Sequence, residues 1–418
     1  GVRGDPAHLR RLTGGYSTVE RLAGRMQHYD WGSSTALADL RGAEPSGLPE
    51  AELWFGAHRP RSSEVVDGRA PEGVDLPDVA YLPYLVKLLA ADRPLSLQAH
   101  PDAMAAADGY RREEEAGIGR GDATRSFPDP GPKPELLCAV TRFEALCGFR
   151  PVPEAREVAG ALGVADHILT LLDDREPEAW RHVVGAVLTG DRAADRGRDV
   201  CRLVDAARRV LEGQGPAAAG APGVRSADVA GADFPAAEVQ AAEVVCRLAD
   251  RYPGDPALLL VPMMRRCVLQ PGEAMYVGPG VLHAYLGGVA LEVMTPCDNV
   301  VRGGFTSKHV DPDALVALLG PGDAPIVQRA VDGVHPYEVP VDDFAVWRIA
   351  GRAEVDVDVA GAGAGERRGP DVVVAVAGRT VVGGDLVLAP GEAALVPVAD
   401  GAYRISVDGI AHRVSVGG

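Results

Sequence analysis

The stretch Val268-Leu-Gln-Pro-Gly-Glu-Ala-Met-Tyr-Val277 recurs at seven of its ten positions in Val387-Leu-Ala-Pro-Gly-Glu-Ala-Ala-Leu-Val396. In both copies two apolar runs flank Pro-Gly-Glu-Ala, a pattern that indicates two strands joined by a tight turn. Such units are common in jelly-roll sandwiches, although a frequent turn motif could also match by coincidence. We therefore expect two related β-sandwiches in one chain.

The residues that follow the two copies differ. The first copy continues to Gly280-Val-Leu-His283, whereas the second continues to Ala399-Asp-Gly-Ala402, which contains no histidine. We therefore expect the first sandwich to carry the chemistry and the second to be mainly structural.

The rest of the chain predicts a mainly β protein with an α-helical insertion. Short apolar runs broken by Gly and Pro fill the first 150 residues, and helical periodicity runs from Pro153 to about Glu212. A segment rich in Ala, Gly and Pro, residues 213–231, is predicted to be a loop, and residues 236–250 are predicted to be a helix. Strand patterns return at about Leu258 and dominate the C-terminal part.

This pattern divides the chain into three units. The expected units are residues 1–150 with 255–325 as a catalytic sandwich, residues 151–254 as a helical domain, and residues 326–418 as a second sandwich without metal ligands.

The composition limits the class of protein. The 418 residues carry a net charge of −17, which argues against a nucleic-acid-binding protein because phosphate backbones select basic surfaces. The sequence contains no apolar run of the roughly 18–20 residues that cross a bilayer, and the first 20 residues contain no apolar signal core. The six cysteines form no CxxC pair and are expected to be reduced thiols. We expect a cytosolic monomer that binds neither nucleic acid nor membrane.

Three short segments contain residues suited to a metal site. If Ser96-Leu-Gln-Ala-His100 is a strand, Ser96, Gln98 and His100 point to one face. The turn Gly278-Pro-Gly280 leads to His283, and it resembles the second metal motif of cupins, with slightly different spacing. Two prolines hold the backbone around Lys133 and Glu135, just before an apolar run.

Each segment also has an ordinary structural interpretation. The histidines could be hydrogen-bonded residues at strand ends, and Lys133 with Glu135 could lie in a solvated loop. Trp31, Trp54 and Tyr29 are predicted to be core or wall residues, and His58 to be a structural hydrogen-bonding residue.

Longer segments resemble the type I mannose-6-phosphate isomerases, in family order, across about residues 20 to 312. The C-terminal part shares only its β character with that family. The matching segments are Gln27-His-Tyr-Asp-Trp-Gly32, Ala51-Glu-Leu-Trp-Phe-Gly-Ala-His58, Leu82-Pro-Tyr-Leu-Val-Lys87, Leu95-Ser-Leu-Gln-Ala-His-Pro101, Lys133-Pro-Glu135, Phe143-Glu-Ala-Leu-Cys-Gly-Phe-Arg150 and Leu291-Glu-Val-Met-Thr-Pro-Cys-Asp-Asn-Val-Val-Arg-Gly303.

The resemblance implies a cupin-like fold, a sugar-phosphate substrate and one Zn²⁺ per chain, held by Gln98, His100, Glu135 and His283. It also implies interconversion of mannose 6-phosphate and fructose 6-phosphate by proton transfer between C2 and C1 through a cis-enediol. Alternatives are a sugar-phosphate-binding cupin without catalysis, an isomerase of another aldose or aldose phosphate, and a metal-dependent oxygenase. The oxygenase fits a donor set with one Gln and two His poorly.

The resemblance further implies roles for individual residues. Arg302 would stabilise the enediolate, and Asp298 with His100 would open the sugar ring. The phosphate candidates are Ser96, Lys87 and Lys308, and Glu292 is a further active-site candidate. Many family members have His before Lys-Pro-Glu, but this chain has Pro132, which favours Lys133 or a zinc-bound water as the base.

Overall fold

A computed structural model of the chain describes residues 19–58, 62–66, 74–75, 82–172, 178–189, 193–213, 236–320, 325–358 and 369–417. The loop predicted at 213–231 lies, apart from Gly213, outside the described residues.

The strands of the described chain occupy both ends of the sequence. They are β1 (Glu20–Ala23), β2 (Arg25–Gln27), β3 (Glu52–Gly56), β4 (Glu64–Val66), β5 (Val74–Asp75), β6 (Leu85–Ala91), β7 (Leu97–Ala99), β8 (Glu135–Ala139), β9 (Phe143–Phe149), β10 (Met264–Leu269), β11 (Glu273–Val277), β12 (His283–Met294), β13 (Val301–Gly304), β14 (Val327–Arg329), β15 (Gly333–Tyr337), β16 (Ala345–Val357), β17 (Asp371–Val382), β18 (Leu386–Leu388), β19 (Ala393–Val396) and β20 (Tyr403–Ser415).

Most of the helices lie between β9 and β10. The α-helices are α1 (Ala36–Arg41), α2 (Ala103–Glu115), α3 (Val152–Ala161), α4 (Asp166–Leu169), α5 (Glu178–Thr189), α6 (Ala193–Leu211), α7 (Ala237–Arg251) and α8 (Pro312–Leu318), with 3₁₀ helices at Pro256–Met263 and Val398–Asp400. A mainly β chain with an α-helical insertion is therefore confirmed.

Strand β12 joins the two layers of the first sandwich. Its first residues pair with β7 and β9, its last seven residues pair with β6, and the last five of these also pair with β8. The change of layer occurs at Gly288, which has φ +119° and would place a Cβ 2.6 Å from the carbonyl oxygen of Arg142. Glycine is therefore required at this corner.

The second sheet contains strands from both ends of the chain. Its order is β15-β16-β20-β17-β19-β1-β4-β5, with β18 beside β17. Strand β1 pairs with β19 and β4, so the residues expected in the first sandwich are divided between the two sheets. Strands β16 and β20 each run unbroken for 13 residues, and Gly351 and Gly409, which both have positive φ, are paired with each other in the middle of the two strands.

The repeated Pro-Gly-Glu-Ala segments form the same turn. Gly272 and Gly391 have φ +88° and +78°, and each donates its N–H to a carbonyl of a neighbouring strand at 2.8 Å. In both turns the glutamate accepts the N–H of the residue three positions earlier, at 2.9 Å for Glu273 and 2.8 Å for Glu392. The turn is thus specified locally in each sheet.

The helical insertion packs on the first sandwich through one apolar cluster. The ring of Trp180 is fully buried and stacks on Phe149 at 4.2 Å and 4°. The expectation that strands resume at Leu258 is wrong, because residues 256–263 form a buried 3₁₀ helix capped by Asp255. Its apolar run is buried on all sides, and such a run does not by itself distinguish strand from helix.

A second apolar cluster lies between the two sheets and contains Leu136, Leu291, Val346, Val374 and Val414.

Among the described residues no helix combines the length and apolar character needed to cross a membrane.

Candidate metal centre and active site

Strand register brings Gln98, His283 and Arg302 to one face of the first sandwich. In the β7 pairings, Gln98 lies opposite His283 of β12 on one side and opposite Arg302 of β13 on the other. Directly opposed residues of antiparallel strands project to the same face. His100 follows at the end of β7.

The opposing layer contributes Glu135, the first residue of β8. Its Oε1 lies 3.3 Å from His100 Nε2, and its Oε2 lies 3.9 Å from His283 Nε2. The amide nitrogen of Gln98 lies 3.4 Å from the same His283 atom. Possible donor atoms of His100, Glu135 and His283 all lie within 4.8 Å of one another.

Main-chain carbonyls fix the tautomer of both imidazoles. His100 Nδ1 lies 2.9 Å from the carbonyl oxygen of Asn299, and His283 Nδ1 lies 2.9 Å from that of Val281. Because a carbonyl only accepts hydrogen bonds, each Nδ1 carries the proton. Each Nε2 therefore directs a lone pair towards Glu135, the arrangement found in metal-ligating histidines.

The electrostatics keep these groups in the forms that bind cations. Burial, followed by the neighbouring His100, lowers the pKa of His283 to about 4. Burial and Lys133 lower the pKa of His100. Burial alone would raise the pKa of Glu135, but Lys133 and His100 hold it well below its usual range. Two neutral imidazoles, a carboxylate and an amide form a donor set that fits a divalent transition metal.

Lys133 lies directly beside this cluster. Its Nζ donates to Glu135 Oε1 at 2.6 Å and lies 3.4 Å from His100 Nε2. The side chain is buried, with 7% exposed. The structure therefore excludes a solvated loop for Lys133 and Glu135.

Lys87 and Glu292 form a second buried group on the same strands. They are cross-strand partners, and Lys87 Nζ donates to Glu292 Oε2 at 2.9 Å. Glu52 Oε1 lies 3.7 Å from the same nitrogen, and Glu52 accepts the indole N–H of Trp54 at 2.7 Å. Burial opposes the charge of Lys87, but the two carboxylates raise its pKa. The Lys87 ammonium is therefore already neutralised by carboxylates, which makes it a weaker phosphate ligand than the sequence indicated.

The remaining candidates line a cleft of about 1630 Å³ that opens beside the cluster. Exposed Asp298 faces His58, with 3.0 Å between Oδ2 and Nε2. Ser96 donates to Gln98 Oε1 at 2.9 Å. Arg302 also lines the cleft, and burial lowers the pKa of its guanidinium. Lys308 Nζ lies over the Tyr29 ring at 5.6 Å.

Comparison with known proteins places this site in a family. Residues 19–152 match the family model for the catalytic domain of phosphomannose isomerase type I. The chain is 33% identical to the mannose-6-phosphate isomerase of Escherichia coli strain K12, over 78% of this chain and 82% of the relative. The chain belongs to the mannose-6-phosphate isomerase family. It is also 31% identical to the Salmonella typhimurium member, over 95% of this chain and 99% of the relative.

Solved structures of family members have the same fold. The S. typhimurium mannose 6-phosphate isomerase bound to substrate (F6P) and zinc matches with a TM-score of 0.77 and 29% identity, over 96% of this chain and 100% of that chain. A zinc-bound holo form of mannose 6-phosphate isomerase matches with a TM-score of 0.78 and 28% identity. The expected cupin-like architecture is therefore confirmed.

Sequence reasoning missed Asn299, a residue that organises the metal cluster. Asn299 is fully buried; its amide nitrogen donates to the carbonyls of Asp129 and Gly131, and its side-chain oxygen accepts the Asp129 N–H. Its own carbonyl orients His100. The position lies within the matched segment 291–303, but only the contacts reveal that it links the 129–135 loop to the metal cluster.

Proposed function

We propose that the chain is a zinc-dependent aldose–ketose isomerase that interconverts mannose 6-phosphate and fructose 6-phosphate. The observation that carries the proposal is the buried cluster in which two tautomer-fixed histidines face Glu135, beside Arg302, in a member of this family. The donor set offers nitrogen and oxygen atoms of the kinds that zinc accepts.

In this proposal Gln98, His100, Glu135 and His283 hold one Zn²⁺ per chain. When bound there, the ion supplies a Lewis acid that stabilises negative charge on a substrate oxygen. The buried site strengthens every charge interaction with the reacting atoms, because little water screens it.

In the proposed reaction, side chains of the protein transfer the proton between C2 and C1 and stabilise the enediolate. Lys133 is our candidate base for the transfer between C2 and C1, since its Nζ is buried at the metal cluster and Pro132 offers no imidazole. This role requires the neutral amine, with the Glu135 carboxylate bound to the cation instead of to the Lys133 ammonium. Glu292, held by Lys87 at 2.9 Å, is a further carboxylate that lines the cleft. Arg302 supplies a fixed positive charge for the enediolate.

We assign ring opening to exposed Asp298 and the buried His58 that it contacts. A carboxylate that accepts from an imidazole can exchange a proton with a sugar hydroxyl at the cleft surface. His100 is a poorer partner for Asp298 than the sequence indicated, because its Nδ1 proton is engaged with Asn299 and its Nε2 faces Glu135.

The phosphate is assigned to Ser96 and Lys308, which line the same cleft. In the β7–β13 pairing Leu97 lies opposite Gly304, so Ser96 lies where residues 305–308 leave the strand pair. Lys308 acts as a point charge for the dianion. Lys87 is assigned to the orientation of Glu292.

We propose that residues 326–418 support the fold without taking part in catalysis, together with β1, β4 and β5. The buried metal-ligand cluster lies in the first sandwich, and the second sheet packs on it through apolar side chains. We also infer a monomer in the cytosol, to be checked by analytical ultracentrifugation and cell fractionation.

The test is a coupled assay of the purified chain with mannose 6-phosphate, before and after chelation and after zinc is restored. We expect turnover that chelation abolishes and zinc restores. Unphosphorylated mannose and other aldose 6-phosphates are run in parallel. Turnover of another aldose in place of mannose 6-phosphate would contradict the substrate, and no turnover with zinc restored would contradict the proposal.

A further inference from the structure

The segment that leaves β13 towards Lys308 begins in an unusual conformation. Phe305 has φ +53°, and among the described residues it is the only non-glycine residue with a positive φ. Its side chain is 1% exposed, so the conformation is held inside the protein rather than in a loose loop. Such a conformation persists only when its surroundings fix it.

Asp255 provides the hydrogen bond that fixes this conformation. The main-chain N–H of Phe305 donates to Asp255 Oδ2 at 2.7 Å, and that of Ala257 donates to Oδ1 at 2.9 Å. One carboxylate therefore links the end of the helical insertion to the segment after β13. Hydrogen bonds to a charged acceptor are about twice as strong as those between neutral groups.

The two backbones also approach closely at this point. A Cβ on Gly304 would lie 2.4 Å from the Cβ of Ala257 and 2.9 Å from Asp255 Oδ1. Residue 304 must therefore be glycine, and the start of residues 305–308 has no room to shift towards the insertion.

The course of residues 305–308 follows from this anchor. The Thr306 hydroxyl accepts the Lys308 N–H at 3.0 Å, which shapes the turn that presents Lys308. Ser96 lies beside the beginning of the same segment by strand register. The two residues assigned to the phosphate therefore depend on the direction in which the chain leaves Phe305.

We infer that Asp255 is a positioning residue for phosphate binding: by holding Phe305 in the left-handed conformation, it sets the turn 305–308 against Ser96. The inference rests on the proposed function. It gives the helical insertion a part in substrate affinity, because Asp255 begins the segment that returns from the insertion to the first sandwich.

Geometry and charge predict opposite results here, which makes the inference testable. A carboxylate near a bound phosphate repels it, so removal of the charge alone would tighten phosphate binding. Asp255→Asn keeps the size and shape of the side chain and removes its charge. Its amide N–H₂ then faces one of the two main-chain N–H groups, and two donors cannot form a hydrogen bond with each other. Positioning therefore predicts weaker phosphate binding in this variant.

A second variant separates positioning from helix capping. Asp255→Ser retains a good N-cap residue for the 3₁₀ helix, but its shorter side chain cannot reach both N–H groups. Glu113→Gln is the matched control, since Glu113 also accepts two main-chain N–H groups, from Ser126 and Phe127 at 2.8 Å each.

The experiment uses the zinc-loaded full chain and measures KM and kcat with mannose 6-phosphate, and inhibition by inorganic phosphate. We expect both Asp255 variants to raise KM and the phosphate inhibition constant about tenfold, with kcat within about twofold and zinc content unchanged. Glu113→Gln should leave all four quantities unchanged.

Two results would overturn the inference. One is phosphate binding in Asp255→Asn that is as tight as or tighter than in the wild type. The other is a loss of kcat, zinc and thermal stability together, at unchanged phosphate affinity, in both variants. If the wild type shows no turnover, the proposed function fails by itself, and calorimetry with inorganic phosphate still compares the wild type with the variants.

Discussion

His412 offers a test of how the two sheets are held together. It lies in β20, opposite Arg348 of β16 and Val374 of β17, with 2% of its surface exposed. Its ring is nearly parallel to that of Tyr337 at 6.4 Å, and within the described part of the chain neither ring nitrogen has a hydrogen-bond partner. Burial and the nearby Arg348 lower the pKa of His412 to about 3.

The size of the effect follows from that pKa. An unfolded histidine titrates near 6.5, so below this pH the unfolded chain binds a proton that the folded chain excludes. The contribution of His412 to stability is therefore complete above about pH 6.5 and is lost as the pH falls towards about 3. Each pH unit in this window costs about 1.4 kcal/mol, and the loss between about pH 8 and about pH 5 is about 2 kcal/mol.

The perturbation is His412→Phe, which keeps a flat ring of similar size beside Tyr337. Urea unfolding of the wild type and the variant is measured across this pH range with chelator present, so that acid release of a metal does not contribute. We expect the free energy of unfolding of the wild type to fall by about 2 kcal/mol more than that of the variant. Curves that fall in parallel would refute the account of a neutral, unpaired His412.

Three further substitutions test the site and the fold. Arg302→Ala should lower kcat by about 10²–10³ with zinc content unchanged, because a fixed charge at the enediolate is lost; loss of zinc in parallel would contradict that role. Gly288→Ala should destabilise the chain by about 2–4 kcal/mol in urea, because the new Cβ meets a carbonyl oxygen at 2.6 Å; a neutral effect would contradict the tight corner in β12. Lys87→Met should cost about 3–5 kcal/mol in urea by leaving Glu292 and Glu52 buried without their cation, and a cost near zero would show that this ion pair is unimportant.

The sequence predicted the parts of the fold that are specified locally. Each Pro-Gly-Glu-Ala turn closes through its own glycine and glutamate, so the repeat was visible without knowledge of the tertiary structure. The 3₁₀ helix at 256–263 was missed because an apolar run that is buried on all sides has no period that favours helix or strand. The pairing of β1 with β19 joins residues about 375 positions apart, and nothing in the local pattern indicates it.

In the candidate site, too, the sequence predicted what depends on local spacing and missed what depends on contacts between distant residues. Gln98 and His100 were predicted to share a face because strand geometry requires it, and their spacing can be read directly. The partners of Lys87 could not be predicted, because Glu292 lies 205 positions away and the contact depends on the register of β6 with β12. Asn299 and Asp255 were missed for a similar reason, since their side chains bind main-chain groups of distant segments, and main-chain groups carry no residue signature.

Zinc titration of the chelated protein tests the central claim most directly. Zinc is added in known amounts while zinc content and the rate of conversion of mannose 6-phosphate to fructose 6-phosphate are followed together. We expect the rate to rise linearly and to stop rising at one zinc per chain, and we expect His283→Ala to bind zinc weakly and to remain inactive under the same conditions. Full turnover by the metal-free chain, or one tightly bound zinc without turnover, would contradict the account.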